Sequence, residues 1–342
     1  MTREAGTTPL ENDRKRVELL HHESKPGNTG SMDSCGNKKT YQMKRIQILL
    51  ERWRGESAPH RYAFYLLFML GLGLRVGYVF QPVRPDEAYI YLAFVGNPLK
   101  VVFTYYHVPG NHFLLTFLAH ISTRLFGNNV VALRLPSLLF GVAVIPLTYL
   151  VFRKLANKET GLLAMGLVAV SSGLINYSVQ ARGYSIQTFL FLTLILIGKY
   201  LIDTNRTSFW VAFSIVGALG FYTIPTFLYF FPPVLLWVFV SRYYRHYDRP
   251  RLVRHALASL AGTIAVTMLL YAPAFISSGF QALVGDPSGF SSFMVASSWP
   301  EFLKGIPKNL GGIWTGMNVG VPLVFRVFLI LGLIVGIALY HR

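Results

Sequence analysis

Cysteine and acidic residues are both scarce in this sequence of 342 residues. Cys35 is the single cysteine, so the chain can form neither an intrachain disulfide nor a thiolate metal cluster. Only seven acidic residues follow residue 61. The sequence has no P-loop, no HExxH, no GxSxG and no GxGxxG after a predicted strand. It therefore gives no support for a nucleotide or metal site, and we expect no cofactor.

Charged residues of either sign are also rare. They make up 14% of the chain against 53% hydrophobic residues, and the mean hydropathy is +0.43. Soluble proteins carry roughly 25% charged residues. Apolar stretches recur along the chain at about the 20 residues that a membrane-spanning helix needs. The composition predicts an all-α, multi-pass integral membrane protein whose first partner is the lipid bilayer.

The formal net charge of +17 has a membrane explanation. In a soluble protein such an excess would suggest nucleic acid as a partner. Here the basic residues lie mostly between hydrophobic runs, which is the pattern of cytoplasmic loops facing anionic lipid headgroups. We therefore expect no nucleic-acid partner.

The chain is predicted to have a leader and one membrane domain. Residues 1–61 are polar and mixed in charge, which indicates a disordered, basic cytoplasmic leader. Residues 62–342 are predicted to form a membrane domain of about eight spans with external loops at 81–129 and 277–320. The predicted spans are 62–80, 130–152, 161–177, 185–202, 209–222, 227–240, 256–275 and 321–340.

Residues 112–126 are apolar but short for a span. Fifteen helical residues reach about 22 Å, whereas the hydrocarbon core is about 30 Å thick. Polar residues recur every four positions on this segment and predict one polar stripe: His112, Thr116, His120 and Arg124. We interpret it as a helix in the membrane interface. The basic loops 153–159, 199–206 and 241–255 then all lie in the cytoplasm, with both termini.

The candidate chemistry begins with two adjacent carboxylates after the first predicted span, Asp86 and Glu87. Charged groups near the bilayer are costly and are therefore often functional. A structural role is equally compatible with the pattern, because Pro85 suits a first helical position and acids there favour the helix dipole. Both roles can coexist, with Glu87 structural and Asp86 chemical.

Three arginines and two histidines lie near the same predicted edge. Arg182 follows Gln180-Ala181, and a guanidinium suits bidentate phosphate contact, although it could also snorkel to the headgroups. Arg134 could snorkel, or point inward to an anion or to Asp86, and Arg75 could snorkel as well. His107 and His112 flank a Val-Pro-Gly-Asn turn, a weak signal for phosphate binding or metal ligation.

The order of these motifs resembles the GT-C glycosyltransferases. QPVRPDEAY at 81–89 is followed by a turn containing His and Pro, by RLPSLLFG at 134–141 and by ARGYS at 181–185, each at a predicted external edge. The set is most similar to relatives of protein O-mannosyltransferases and aminoarabinose transferases, over about residues 62–240. The resemblance implies a GT-C-like helical bundle with interfacial helices in the first external loop.

The resemblance also implies a reaction. The protein would move a sugar, a hexose such as mannose, from a polyprenyl-phosphate donor to an acceptor hydroxyl of a protein, glycan or lipid. Transfer would occur with inversion on the non-cytoplasmic face, and we expect the plasma (inner) membrane. Asp86 is the implied general base beside Glu87. The residues predicted to bind the donor phosphate are Arg182, Arg134, His112, His107, Tyr184 and Tyr106.

The chain departs from this family in two ways. Relatives often carry His-Pro-Pro or Lys-Pro near the interfacial helix, where this chain has His107-Val108-Pro109, so the role of either histidine stays open. The large soluble C-terminal domain of the family is missing, which suggests a short or truncated member. A transporter or lipid-linked sugar flippase is the alternative, but it would place ionisable groups at mid-bilayer rather than at one edge. A non-catalytic scaffold would tolerate neutral residues at Asp86 and Arg182.

Overall fold

The computed structural model describes residues 51, 53–105, 111–244 and 249–284, with side chains as far as Ser277. Most of the predicted leader, the predicted span 321–340, Tyr106 and His107 lie outside the described residues. The chain divides into two units, residues 1–62 and 63–342. In the first unit, the N–H of Gly55 donates to the carbonyl of Glu51, and the Trp53 ring meets His60 edge-on.

The described part of the chain is helical and contains no strand, which confirms the all-α class. A five-residue π-helix, Tyr91–Val95, follows the second α-helix, and a 3-10 helix, Pro225–Tyr229, precedes the tenth. The α-helices are α1 (Ala58–Tyr78), α2 (Pro85–Ile90), α3 (Leu99–Thr104), α4 (Phe113–Phe126), α5 (Val130–Leu155), α6 (Lys158–Val170), α7 (Ser172–Ser178), α8 (Tyr184–Thr204), α9 (Thr207–Thr223), α10 (Phe231–Tyr243) and α11 (Arg249–Val284).

Four helical segments among the described residues are long and apolar enough to cross a membrane. They are Val130–Leu155, Tyr184–Thr204, Pro225–Tyr243 and Arg249–Ser277. The helices α6 and α7 together pass the same test but are bent by 64° at the break between them, so they make a fifth candidate. This confirms a polytopic membrane protein, while the total of about eight spans stays a prediction.

Two predicted spans form helices that do not reach this standard. The helix α1 covers most of the predicted span 62–80, but it contains Arg75, which lowers its hydropathy. The helix α9 has 17 residues, fewer than the roughly 20 that a straight crossing needs. Both segments are helical as predicted.

The core of the bundle is built on α5 and α8. The helix α8 packs against α5, α9 and α10, and α9 packs against α11. Leu190 and Leu194 of α8 contribute to the largest apolar cluster together with Phe213 of α9. Between α9 and α11 the side-chain oxygens of Ser214 and Ser259 lie 2.9 Å apart. Small hydroxyl residues at such a contact let two helices approach closely and join them by hydrogen bonds.

A buried arginine stabilises the bend between α6 and α7. The Arg75 side chain is fully buried and donates to the carbonyls of Val168 and Ala169, each at 3.1 Å, and to Ser178 Oγ at 3.2 Å. The last carbonyls of a helix have no partner within that helix. Arg75 therefore satisfies the end of α6 from within the protein, and it does not snorkel to the headgroups.

The first loop contains only short helical segments, followed by α4. The 14 residues of α4 reach about 21 Å, which is short for a span. The sequence predicted that α4 lies in the membrane interface, but most of its polar stripe is buried within the protein. Thr116 is fully buried and donates to Asn111 Oδ1 at 2.9 Å, and the Nδ1 atom of the buried His120 lies 2.9 Å from the Val95 carbonyl. Only Arg124 of the stripe is exposed.

Replacing Arg75 tests its role at the bend. We expect Arg75→Ala to lower the stability of the protein by about 1–3 kcal/mol, because it leaves buried carbonyls without a donor. The thermal melting of the detergent-purified protein measures this loss. Arg124→Ala is the matched control, since it removes an exposed arginine. Equal melting temperatures for the two variants would contradict a structural role for Arg75.

Candidate active site

Glu87 and Arg134 form a buried ion pair. Neither residue is exposed, and the two side chains meet in a bidentate contact. The Arg134 Nε atom donates to Glu87 Oε1 at 2.8 Å, and Nη2 donates to Oε2 at 2.6 Å. Two parallel charge-assisted hydrogen bonds of this kind are strong and fix the relative orientation of both groups. The pair therefore holds α2 against α5.

The remaining hydrogen bonds of both groups are also satisfied within the protein. Glu87 accepts a backbone N–H from Ala181 at 2.8 Å and another from Arg84 at 3.1 Å. Arg134 donates its other N–H groups to three carbonyls just before α2, those of Val79, Gln81 and Pro82. All five N–H groups of the guanidinium are therefore used. Each Glu87 oxygen accepts two hydrogen bonds.

These contacts also explain the titration of Glu87. Burial alone would raise the pKa of the Glu87 carboxyl. The hydrogen bonds from Arg134 and from the N–H groups of Ala181 and Arg84 outweigh burial and hold the pKa below its usual value. The carboxylate is thus ionised at neutral pH but is fully occupied. We assign Glu87 and Arg134 a structural role and leave them out of the catalytic and phosphate-binding sets.

Asp86 and Arg182 form a second pair that is open to its surroundings. Arg182 Nη1 donates to Asp86 Oδ2 at 2.7 Å, with side chains 27% and 61% exposed respectively. The Arg182 Nε atom is buried and has no hydrogen-bond partner in the part of the chain that the structure describes. The guanidinium lies over the Tyr184 ring, 5.1 Å from its centroid, a cation–π contact. The site therefore retains an arginine with unused donors.

The two ion pairs differ in how the arginine uses the Nε–Nη2 edge of its guanidinium group. Arg134 uses its Nε and Nη2 atoms together to grip the Glu87 carboxylate. For Arg182, the buried Nε atom has no hydrogen-bond partner, and the one hydrogen bond of the side chain to a described residue is the bond from Nη1 to Asp86, which leaves Nη2 without an acceptor there. The Nε–Nη2 edge is the fork that binds carboxylate and phosphate oxygens in pairs. On Arg182 this fork has no acceptor among the described residues.

His112 is close in space to Arg182, because its imidazole contacts the next residue, Gly183. Its Nδ1 atom accepts the backbone N–H of Gly183 at 2.8 Å, and its ring lies 5.7 Å from the Tyr184 ring. Burial first, and then the positive charge of Arg182, lower the pKa of the His112 imidazole below its usual value near 6.5. The imidazole is therefore neutral at physiological pH.

Four side chains that were not among the predicted site residues border the site. Arg84 Nη2 donates to Asn176 Oδ1 at 2.9 Å, and Gln180 Nε2 donates to the same oxygen at 2.7 Å. The Tyr177 ring lies 4.6 Å from the Tyr184 ring. Arg84 precedes the acidic pair and was detectable from its motif. Asn176 and Tyr177 lie on α7 and carry no comparable signal, because only the bend at Ser171 brings them here.

The two remaining predicted site residues, His107 and Tyr106, lie outside the described residues. No group of three His, Cys, Asp or Glu side chains that could hold a metal ion occurs within residues 51, 53–105, 111–244 and 249–284. The structure thus joins four predicted residues, Asp86, Arg182, His112 and Tyr184, at one end of the bundle.

The described helical membrane fold and part of the site lie in a region that is similar to a glycosyltransferase family of the GT-C type. Residues 107–274, just under half of the chain, match the family described as dolichyl-phosphate-mannose-protein mannosyltransferase. The matched region includes His112, Arg134 and Arg182, and it begins after the Asp86-Glu87 pair. No curated protein matches the chain. The family match confirms the resemblance that the order of motifs predicted.

The two adjacent carboxylates are expected to respond differently to neutralisation. Glu87→Gln leaves the Arg134 charge buried without its counter-ion, and we expect a loss of stability of about 3–5 kcal/mol. Asp86→Asn removes one partner of an exposed pair, and we expect a change of about 1 kcal/mol or less. Thermal melting of both purified variants measures the difference. Similar melting temperatures would show that the buried pair is not a structural anchor.

Proposed function

We propose that this protein transfers a hexose such as mannose from a polyprenyl-phosphate donor to an acceptor hydroxyl, with inversion, at the non-cytoplasmic face of a plasma (inner) membrane. The observation that carries the proposal is the free Nε–Nη2 fork of Arg182 beside the exposed Asp86 carboxylate. The family name, which refers to a dolichyl-phosphate-linked mannose, supports a lipid-phosphate donor.

The free fork favours an anion as the ligand of Arg182. A buried N–H without an acceptor costs about 1–3 kcal/mol, so a site with such a donor is completed when a ligand supplies the acceptor. A phosphate group offers two oxygens at the spacing of the Nε–Nη2 edge. Arg182 can therefore hold the donor phosphate through this edge while Nη1 keeps its contact with Asp86. The leaving group and the base would share one guanidinium.

Asp86 is suited to the role of general base. Only its Oδ2 atom has a hydrogen-bond partner among the described residues, and the side chain is 61% exposed, so a hydroxyl from the aqueous phase can reach it. A positioned base that accepts a proton as the new bond forms accelerates a reaction by about 10²–10⁴. Glu87 cannot take this role because both its oxygens are occupied.

The proposed reaction is a single displacement. The acceptor oxygen forms a bond to the anomeric carbon as the bond from that carbon to the phosphate oxygen breaks. The acceptor proton moves to Asp86, and the polyprenyl phosphate leaves with the bonding electron pair. Its growing negative charge faces the Arg182 guanidinium, which stabilises the transition state more than the ground state. Attack opposite the leaving group inverts the anomeric centre.

The charge distribution supports a site on the non-cytoplasmic side. The helix α8 begins beside the site at Tyr184 and ends near Lys199 and Asp203. There Asp203 lies 2.7 Å from Lys199 and 3.3 Å from Lys154 of α5, so two predicted cytoplasmic loops meet at this end. Basic loops favour the cytoplasm. The opposite end of α8, with Asp86 and Arg182, is then external.

Neutralising Asp86 tests its role as base. We expect Asp86→Asn to reduce transfer by at least about 10²-fold at an unchanged melting temperature, because the acceptor proton has no base. The assay follows label from radioactive polyprenyl-phosphate mannose into acceptor in membranes that contain the full chain. Asp203→Asn, at the other end of α8, is the control and should keep its activity. Transfer by Asp86→Asn at the wild-type rate would remove Asp86 from the mechanism.

The same assay separates the enzyme from a transporter. Label that crosses the bilayer without joining an acceptor would support a flippase and would contradict the proposed transfer.

The shape of the Arg182 side chain is expected to matter as much as its charge. Arg182→Lys keeps the positive charge but loses the fork, so we expect the KM for the donor to rise about tenfold or more. Arg182→Ala should raise the KM for the donor further. Arg124→Lys, an exposed arginine on α4, is the matched control. An unchanged donor KM in Arg182→Lys would count against phosphate binding at the fork.

A further inference from the structure

The hydrogen bond between Gly183 and His112 fixes the position of the imidazole hydrogen. A backbone N–H can only donate, so the His112 Nδ1 atom, 2.8 Å from the Gly183 nitrogen, must be the acceptor. A ring nitrogen that accepts a hydrogen bond carries no hydrogen itself. The neutral ring therefore carries its hydrogen on Nε2.

The Nε2–H group is a donor near Arg182 that makes no hydrogen bond to the described residues. His112 is only 3% exposed, and Nδ1 is the ring nitrogen that is hydrogen-bonded in the described part of the chain. The Tyr184 ring lies against both groups, 5.7 Å from the His112 ring and 5.1 Å from the Arg182 guanidinium carbon. Three nitrogen donors that have no acceptor in the described part of the chain thus lie near one tyrosine: Nε and Nη2 of Arg182 and Nε2 of His112.

We propose that His112 binds the donor phosphate through Nε2–H, as a neutral hydrogen-bond donor whose tautomer is set by the backbone of Gly183. The inference rests on the proposed function, because it names a third contact to the same phosphate. His112 is not a general acid or base in this scheme, since Nδ1 is occupied and Nε2 keeps its hydrogen throughout the reaction. Its contribution is to donor affinity and to the orientation of the phosphate.

The glycine of the ARGYS motif makes this arrangement possible. A Cβ atom on Gly183 would lie 2.9 Å from Thr223 Cγ2 and 3.2 Å from both Cβ and Nδ1 of His112. A side chain at this position would therefore push the imidazole away from the backbone N–H. Glycine lets α8 begin close enough to His112 for the 2.8 Å hydrogen bond.

Two substitutions separate the two nitrogen atoms of the ring. In His112→Asn the amide oxygen can take the place of Nδ1 and accept the Gly183 N–H, but no N–H reaches the position of Nε2. In His112→Gln the terminal amide N–H can reach the position of Nε2, while the acceptor for Gly183 is lost. The first variant isolates the structural contact, and the second isolates the contact to the ligand.

The main measurement is the binding of decaprenyl phosphate to the purified full-length protein, followed by the shift in melting temperature as its concentration rises. We expect His112→Asn to weaken this binding about tenfold or more, the usual effect of losing one hydrogen bond to a charged group, at a melting temperature close to wild type. His112→Gln should recover most of the affinity. The KM for the donor should change in the same order.

A buried histidine elsewhere in the fold provides the control. His120→Asn removes a ring bonded to the Val95 carbonyl and should lower the melting temperature without changing the binding of decaprenyl phosphate. Binding by His112→Asn at the wild-type affinity would overturn the proposal, whether or not His112→Gln folds. Weaker binding by His112→Gln than by His112→Asn would also overturn it, because the Gly183 contact alone would then explain the residue.

The binding measurement is independent of catalysis. If the wild-type protein transfers no sugar but binds decaprenyl phosphate through His112, the proposed function fails and the phosphate contact stands. If transfer occurs and the His112→Asn variant binds normally, the reaction stands and the His112 contact fails.

Discussion

The buried ion pair between Glu87 and Arg134 is the contact on which the arrangement of the site depends. Two ions removed from water are costly, and the cost is offset only when geometry and hydrogen bonding are complete. Here every N–H of Arg134 and both oxygens of Glu87 are engaged. The pair joins the loop before α2 to α5, and the Ala181 N–H brings in the residue beside Arg182. Asp86 and Arg182, each adjacent to a member of this network, are thereby brought within hydrogen-bonding distance.

The two neighbouring arginine–carboxylate pairs serve different purposes. One arginine closes its fork on a carboxylate and becomes part of the scaffold, and the other keeps its fork free at the surface of that scaffold. The difference follows from burial, since Glu87 is the acid that the turn of α2 directs inward while Asp86 is directed outward. A rigid, saturated inner pair gives the outer pair a fixed position, which preorganised electrostatic stabilisation requires.

In the proposed reaction, each neighbour of Arg182 has a different role. Asp86 is the group most open to water, as a base for a water-borne hydroxyl must be. His112 is almost fully buried and neutral, which suits a donor that must not compete for the acceptor proton. Tyr184 supports the guanidinium by its ring face. A single cation surrounded in this way can orient a phosphate and a carboxylate together.

The sequence by itself determined the membrane class, the all-α fold and the resemblance to a glycosyltransferase family. Long apolar runs and the order of the charged motifs depend only on local composition and spacing, so they can be read without a structure. It left open whether Asp86 and Glu87 differ in role, because adjacent residues of the same charge differ mainly in the direction of their side chains. It also placed Arg134 and Arg182 in one phosphate-binding set, because only packing decides which arginine meets a buried carboxylate. It also missed Asn176 and the inward role of Arg75, which depend on the 64° bend between α6 and α7. Which carboxylate is buried, which arginine is free and which imidazole nitrogen carries the hydrogen were decided by tertiary packing, since each depends on contacts between residues more than 40 positions apart.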